Sequence, residues 1–159
     1  MKAELIEAMK AVFGADQKRI HHALAVLGYA EKLLKTESAD ELTVTAAAIL
    51  HDIGIQAAER KHGSSAGHYQ EIEGPPIARP ILIRLGVDAD RVDHVCRIIG
   101  SHHSARNIDT PEFRVIWDAD WLVNIPAEYP GWEPDRLRPI IDKVFKTKTG
   151  RKLAEGRFL

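Results

Sequence analysis

The feature that most restricts how this chain can fold is a set of ionisable side chains that fall on apolar helical faces. Residues 48–54 read AILHDIG: an apolar run ends in adjacent His51 and Asp52, followed by Ile53 and a helix-stopping Gly54. In that stretch Val44, Ala47, Ala48 and His51 line one helical face, with Asp52 next to it. Upstream, His22 shares a stripe with Val26, Tyr29, Ala30 and Leu33, whereas His21 shares the face of Ala25, Gly28 and Lys32. Downstream, the stripe Val92, Val95, Cys96, Ile99 continues onto His102 and His103, and helical phase allows either to point inward. Phe113, Ile116, Trp117, Asp120 and Asn124 share a further face. Burying imidazoles and carboxylates without partners is expensive. The fold must therefore bring these segments together, so that the polar groups satisfy one another or share a ligand. A metal ion is the natural common partner of convergent imidazole nitrogens and carboxylate oxygens. His21 and His94 read as ordinary hydrogen-bonded histidines and His62 as a loop residue. Asp118 reads as a surface acid, kept in play by its closeness to Asp120.

The surrounding pattern is helical nearly throughout. Helices are expected over 3–13, from the Asp16 cap to about 35, and over 40–53. Residues 55–74 are polar and glycine-bearing and read as a long loop with at most a helical turn. Pro75-Pro76 suits the start of a helix to about Leu85, with Pro80 kinking it or delaying its start. Asp88 caps a helix over 89–103, and Thr110-Pro111-Glu112 opens another to about Ile125. After the YPGWEP loop a last helix begins near Asp135. No alternating strand pair is visible. The expectation is an all-α bundle of six to seven helices in one domain, with a core over about 16–125 and a C-terminal helical extension over 133–159.

Length and charge agree with that expectation. A chain of 159 residues suits one domain with one sizeable core. A formal net charge of −1 argues against wrapping extended nucleic acid or adhering to an anionic membrane. No apolar run is long enough to span a bilayer. The N-terminal MKAELIEAMKAVFG carries Glu4 and Glu7 and reads as a helix, not a targeting segment. A single cysteine, Cys96, rules out an internal disulfide and fits a cytoplasmic setting.

The order H…HD…D on helices resembles the HD-domain superfamily of metal-dependent phosphohydrolases. HHALAVLGYA looks like the family's opening stretch, AILHDIG its doublet, IIGSHHS its later histidine segment and DADWLVN its closing stretch. FKTKTGRKLA is similar to the tail of small bacterial members. The resemblance covers about residues 16–125. It implies a helical bundle in which His22, His51, Asp52 and Asp120 hold one divalent metal: Mn, Fe, Co, Ni or Zn. It also implies that Asn124 lies on the substrate side. The longer order H-HD-H-H-D is that of two-metal members; His68 and His102 would complete it, with Asp52 bridging the ions. Because the family's adjacent pair leads with its ligand, His102 is favoured over His103.

The implied reaction is hydrolysis of a phosphomonoester or phosphodiester on a small phosphorylated substrate, a nucleotide among the candidates. Asp52, His102 and His103 are the candidate catalytic groups, and Arg60, Lys61, Arg79 and Arg106 the candidate phosphate contacts. Trp117, Trp121 and Trp132 are able to stack on a base, although core packing is the simpler reading for the first two. The catalytic glutamate of the family's small 5′-nucleotidases has no counterpart, since Ile55 and Gln56 occupy that stretch and Glu59 lies farther along. Nor does SHHSARNIDTPEF carry the glycine-tyrosine-proline signature of cyclic-dinucleotide phosphodiesterases. Two other classes share the pattern. One is a diiron oxygenase acting on a polyol or phosphonate. The other is a non-catalytic signalling or interaction module.

Overall fold

Four of the helix starts signalled by the sequence are closed by their own side chains. Asp16, Asp40, Asp88 and Thr110 accept hydrogen bonds from the backbone N–H groups of Arg19, Thr43, Arg91 and Phe113. The computed structural model describes all 159 residues. It contains α1 (Lys2–Phe13), α2 (Gln17–Leu34), α3 (Glu41–Leu50), α4 (Ile55–His62), α5 (Gly67–Arg84), α6 (Ala89–Ile99), α7 (Pro111–Glu128), α8 (Pro134–Val144) and α9 (Lys148–Phe158). The chain is all-α, with nine helices and no strand, slightly more helices than expected. None is long and apolar enough to cross a membrane.

The extra helices come from two places. Residues 55–74 form α4 and the first two turns of α5 instead of a loop. Pro75 and Pro76 therefore lie inside α5, not at its entrance. The helix tolerates them at its rim, where Pro76 and Pro80 are exposed and water can reach the carbonyls they leave unpaired. The C-terminal segment forms α8 and α9 instead of one helix. The link between these two is held by Asp118, which is fully buried and not the surface acid its composition suggests. Its carboxylate accepts the backbone N–H groups of Lys146 and Thr147, both at 2.8 Å, and the Thr147 hydroxyl at 2.6 Å. Gly150 sits flush on that carboxylate: a Cβ there would lie 2.3 Å from Asp118 Oδ2.

The main apolar core draws on α1, α2, α3, α5, α6 and α7, with Leu50, Ile53, Ile99 and Phe113 among its fully buried side chains. A smaller cluster of Leu122, Ile125, Leu137, Ile141 and Ala154 joins the end of α7 to α8 and α9. α2 packs against both α3 and α7, so the faces of these three helices meet. One close crossing sets the distance between the two polar turns of the molecule. A Cβ on Gly54 would fall 2.5 Å from the Gly74 backbone nitrogen, and one on Gly74 would fall 2.6 Å from Ile99 Cγ2. The turn after α3 and the turn after α6 are thereby drawn against the same stretch of α5.

Candidate metal centre

α3 stops at Leu50, and His51 and Asp52 occupy the turn that follows. His51 is fully buried. Its Nδ1–H donates to the Ala48 carbonyl at 2.8 Å, because a carbonyl can only accept. With Nδ1 so engaged, Nε2 is the nitrogen that faces the cluster. His22, from the middle of α2, brings its Nε2 to 3.3 Å from His51 Nε2. Asp120, from α7, places Oδ1 3.0 Å from His22 Nε2 and 3.4 Å from His51 Nε2. Asp52 places Oδ2 3.3 Å from His22 Nε2 and 3.5 Å from His51 Nε2. The four residues expected to share an ion are thus brought together from α2, α7 and the turn after α3.

The donor set fits a divalent metal. The His22 and His51 Nε2 atoms stand 3.3 Å apart, and each lies 3.0–3.5 Å from one oxygen of Asp52 and one of Asp120. His22, His51 and Asp52 form the tightest group of the four. Ligand atoms about 2.0–2.2 Å from one ion stand about 3–3.5 Å apart. The protonation balance points the same way. Burial disfavours the His51 imidazolium, but the charges of Asp52 and Asp120 outweigh it and push the group up to about 9. Burial likewise opposes ionisation of both acids. The His51 charge and the His102 hydrogen bond nevertheless hold Asp52 down at about 2, and hydrogen bonds with His22 and His51 hold Asp120 well below the usual carboxylate range. The cluster thus attracts positive charge, whether a proton or a metal supplies it.

His102 lies in the turn after α6 and is the buried member of its pair. Its Nδ1–H donates to the Ile99 carbonyl at 2.7 Å, and its Nε2 stands 3.2 Å from Asp52 Oδ1. Asp52 therefore presents one oxygen to His22 and His51 and the other to His102. His103 lies close enough to Asp52 and His102 to form a second three-residue group with them. His68 does not join either group. It is exposed near the start of α5, with its ring against Tyr69 at 3.9 Å between centroids. The residue that this end of α5 turns toward the cluster is Gln70, two positions on.

A cleft of about 350 Å³ opens over the cluster, with Lys18, Arg19, Gln70, His103, Asn124 and Glu128 on its walls. Asn124 lies on this cleft. The four expected phosphate contacts do not line it. Lys61 pairs with the buried Glu73 at 3.0 Å, and Arg79 pairs with Asp93 at 2.8 Å on the outer side of α5 and α6. Arg60 and Arg106 are exposed on α4 and in the turn before α7. The cations at the cleft are Lys18 and Arg19, and Arg19 is already tied to Asp16 and Glu59. Their signal was available in the sequence: they stand four and three residues before His22, hence on its face one turn earlier. Trp117 donates its indole N–H to the Val144 carbonyl at 3.0 Å, which fits core packing. Trp121 lines a smaller recess of about 100 Å³ beside His102 and Asn124. His94 meets the Thr110 hydroxyl at 2.8 Å and His62 meets Glu73 at 2.9 Å, while His21 is exposed and lies outside the cleft.

The molecule is thus an all-α bundle with a buried His/Asp cluster where α2, α7 and the turn after α3 meet. The family model "HD domain" matches residues 19–125, and the chain belongs to that family. It is also similar to a solved structure from an uncultured Thermotogales bacterium, described as a predicted HD superfamily hydrolase. The two are 26% identical with a TM-score of 0.72, over 98% of this chain and 83% of that one. A search of curated proteins finds no match.

Proposed function

We propose that this protein is a metal-dependent phosphohydrolase that cleaves a phosphomonoester or phosphodiester of a small substrate, nucleotides among the candidates. The observation that carries the reading is the convergence of His22, His51, Asp52 and Asp120 at 3.0–3.5 Å on the floor of an open cleft. The family and the description of its Thermotogales relative support it. His22, His51, Asp52 and Asp120 would hold one ion of Mn, Fe, Co, Ni or Zn. A bound divalent metal supplies a Lewis acid for a phosphoryl oxygen and lowers the pKa of water.

The chain's own residues do the rest. Asp52 is anchored between two histidines and is the nearest carboxylate to accept a proton from an attacking water. His102 and His103 stand beside it as groups able to take up or relay a proton. Lys18 and Arg19 bring positive charge to the cleft wall where a phosphate enters, and Asn124 offers hydrogen bonds to the substrate. A second ion would draw on Asp52, His102 and His103.

The test is metal analysis of the purified protein, followed by a screen of phosphomonoesters and phosphodiesters with each of the five metals. Wild-type protein is expected to bind at least one ion per chain and to hydrolyse a member of the panel. Asp52→Ala should lose both properties, and turnover retained by that variant would overturn the site assignment. Iron-dependent oxygen consumption without phosphoester hydrolysis would replace the reading with an oxygenase. No placement here favours that outcome, since His68, the ligand it would add, stands outside the cluster.

A further inference from the structure

Gln70 is a buried amide in the first turn of α5, and neither its burial nor its partners are explained by packing alone. Its side chain bridges two groups. The NH2 donates to the Ser65 carbonyl at 2.7 Å, and Oε1 lies 2.9 Å from His103 Nε2. The amide orientation is not free. The Ser65 carbonyl can only accept, so the NH2 must face it and the oxygen must face His103. A carbonyl oxygen facing an imidazole nitrogen requires the hydrogen to sit on that nitrogen.

We infer that Gln70 is a positioning residue that holds His103 in the Nε2–H form and leaves Nδ1 as its lone-pair nitrogen. Four contacts keep the ring and its turn in place for this. The His103 ring rests on Gly67, where a Cβ would come within 2.8 Å of its Cγ. The His103 backbone N–H donates to Glu71 Oε2 at 3.1 Å. The same oxygen accepts the Ser104 N–H at 2.9 Å and the Ser104 hydroxyl at 2.8 Å. One short stretch, Gly67–Glu71, thereby seats the whole His102–His103 turn against the metal-side cleft. Nδ1 has no hydrogen-bond partner within the protein, and His103 lines the cleft. A substrate or water that meets this ring therefore meets an acceptor. The catalytic meaning of this tautomer rests on the hydrolase reading above, whereas the tautomer itself does not.

Long-range ¹H–¹⁵N correlation spectra of histidine-labelled, Zn²⁺-loaded protein read the tautomer directly, with His103→Asn to assign the signal. Wild type should show a protonated Nε2 and an unprotonated or zinc-bound Nδ1. Gln70→Leu removes the acceptor and should shift His103 to mixed or reversed tautomers. Gln70→Glu keeps an acceptor facing His103, at the loss of the donor to Ser65, and should keep Nε2 protonated. An Nδ1–H pattern in wild type, or an unchanged pattern in a folded Gln70→Leu variant, overturns the inference. If Gln70→Leu does not fold, the wild-type and Gln70→Glu spectra still decide it. On a hydrolysed substrate, Gln70→Leu should lower kcat between about 10- and 100-fold with KM little changed, and Gln70→Glu should recover most of the loss. A fall in KM affinity alone, or no rescue by Gln70→Glu, would assign Gln70 to substrate binding or to packing instead. If no phosphoester is turned over, the functional reading fails while the spectra still decide the role of Gln70.

Discussion

At the scale of single residues, the proposed metal centre would set protons and an ion in competition at His51. Without metal, the two neighbouring carboxylates raise its pKa to about 9, so at neutral pH the ring carries a proton that the metal must displace. Metal affinity should therefore rise with pH up to about 9, with proton release on binding. Isothermal titration in buffers of different ionisation enthalpy measures that release. The stability of the metal-free protein should move the opposite way. A raised folded-state pKa contributes stability that is complete below the unfolded value of about 6.5. It is lost as pH rises through about 9. Urea midpoints of the chelated protein should fall between those pH values, and saturating metal should flatten the fall. His102→Ala should leave the binding of a first ion in place, because Asp52 turns its other oxygen to His22 and His51, but should weaken any second equivalent. Metal titration of the variant separates the two.

At the scale of elements, the site depends on two junctions that contain no ligand. The crossing of Gly54, Gly74 and Ile99 brings the His51-Asp52 turn and the His102 turn to the same part of α5. Gly74→Ala should cost about 1–3 kcal/mol by forcing Ile99 aside. It should also disturb the Nδ1–H bond of His102, since Ile99 supplies its carbonyl acceptor. Chemical denaturation and the His102 imidazole resonances report the two effects. The second junction is Asp118, which ties the α8–α9 link to the middle of α7. Asp118→Ala strands two backbone N–H groups and a hydroxyl, and each buried group left unsatisfied costs about 1–3 kcal/mol. Gly150→Ala should also destabilise, because its Cβ would collide with the carboxylate. In both variants, proteolysis is expected to release the C-terminal segment first. The length of α5 also belongs to this scale. A polar, glycine-bearing stretch ahead of two prolines looks like a loop, yet the burial of Gln70, Glu73 and Gly74 sustains a helix there. Tertiary contacts supplied what local propensity lacked.

At the scale of the whole molecule, a bound ion would be coupled to folding. The acidic pocket lies where α2, α7 and the turn after α3 meet, so an ion there joins parts of the chain far apart in sequence. Metal present at about 100 times its Kd should add about 2.7 kcal/mol of stability, visible as a higher Tm that chelator reverses. Patterning along the chain was enough to read the all-α character and the family, and it singled out the four side chains that converge. Helical period sets the angle at which His22, Asp120 and their apolar neighbours leave their own axes, and each of these faces carried its own signal. What depends on distances between elements was set by packing. It selected Gln70 over His68 at the cleft, buried His102 ahead of His103, and placed Lys18 and Arg19 at the rim in place of Arg60, Lys61, Arg79 and Arg106. It also turned Asp118 into an internal anchor. Periodicity describes one helix at a time, whereas which turn meets which helix is settled by how closely the backbones pack.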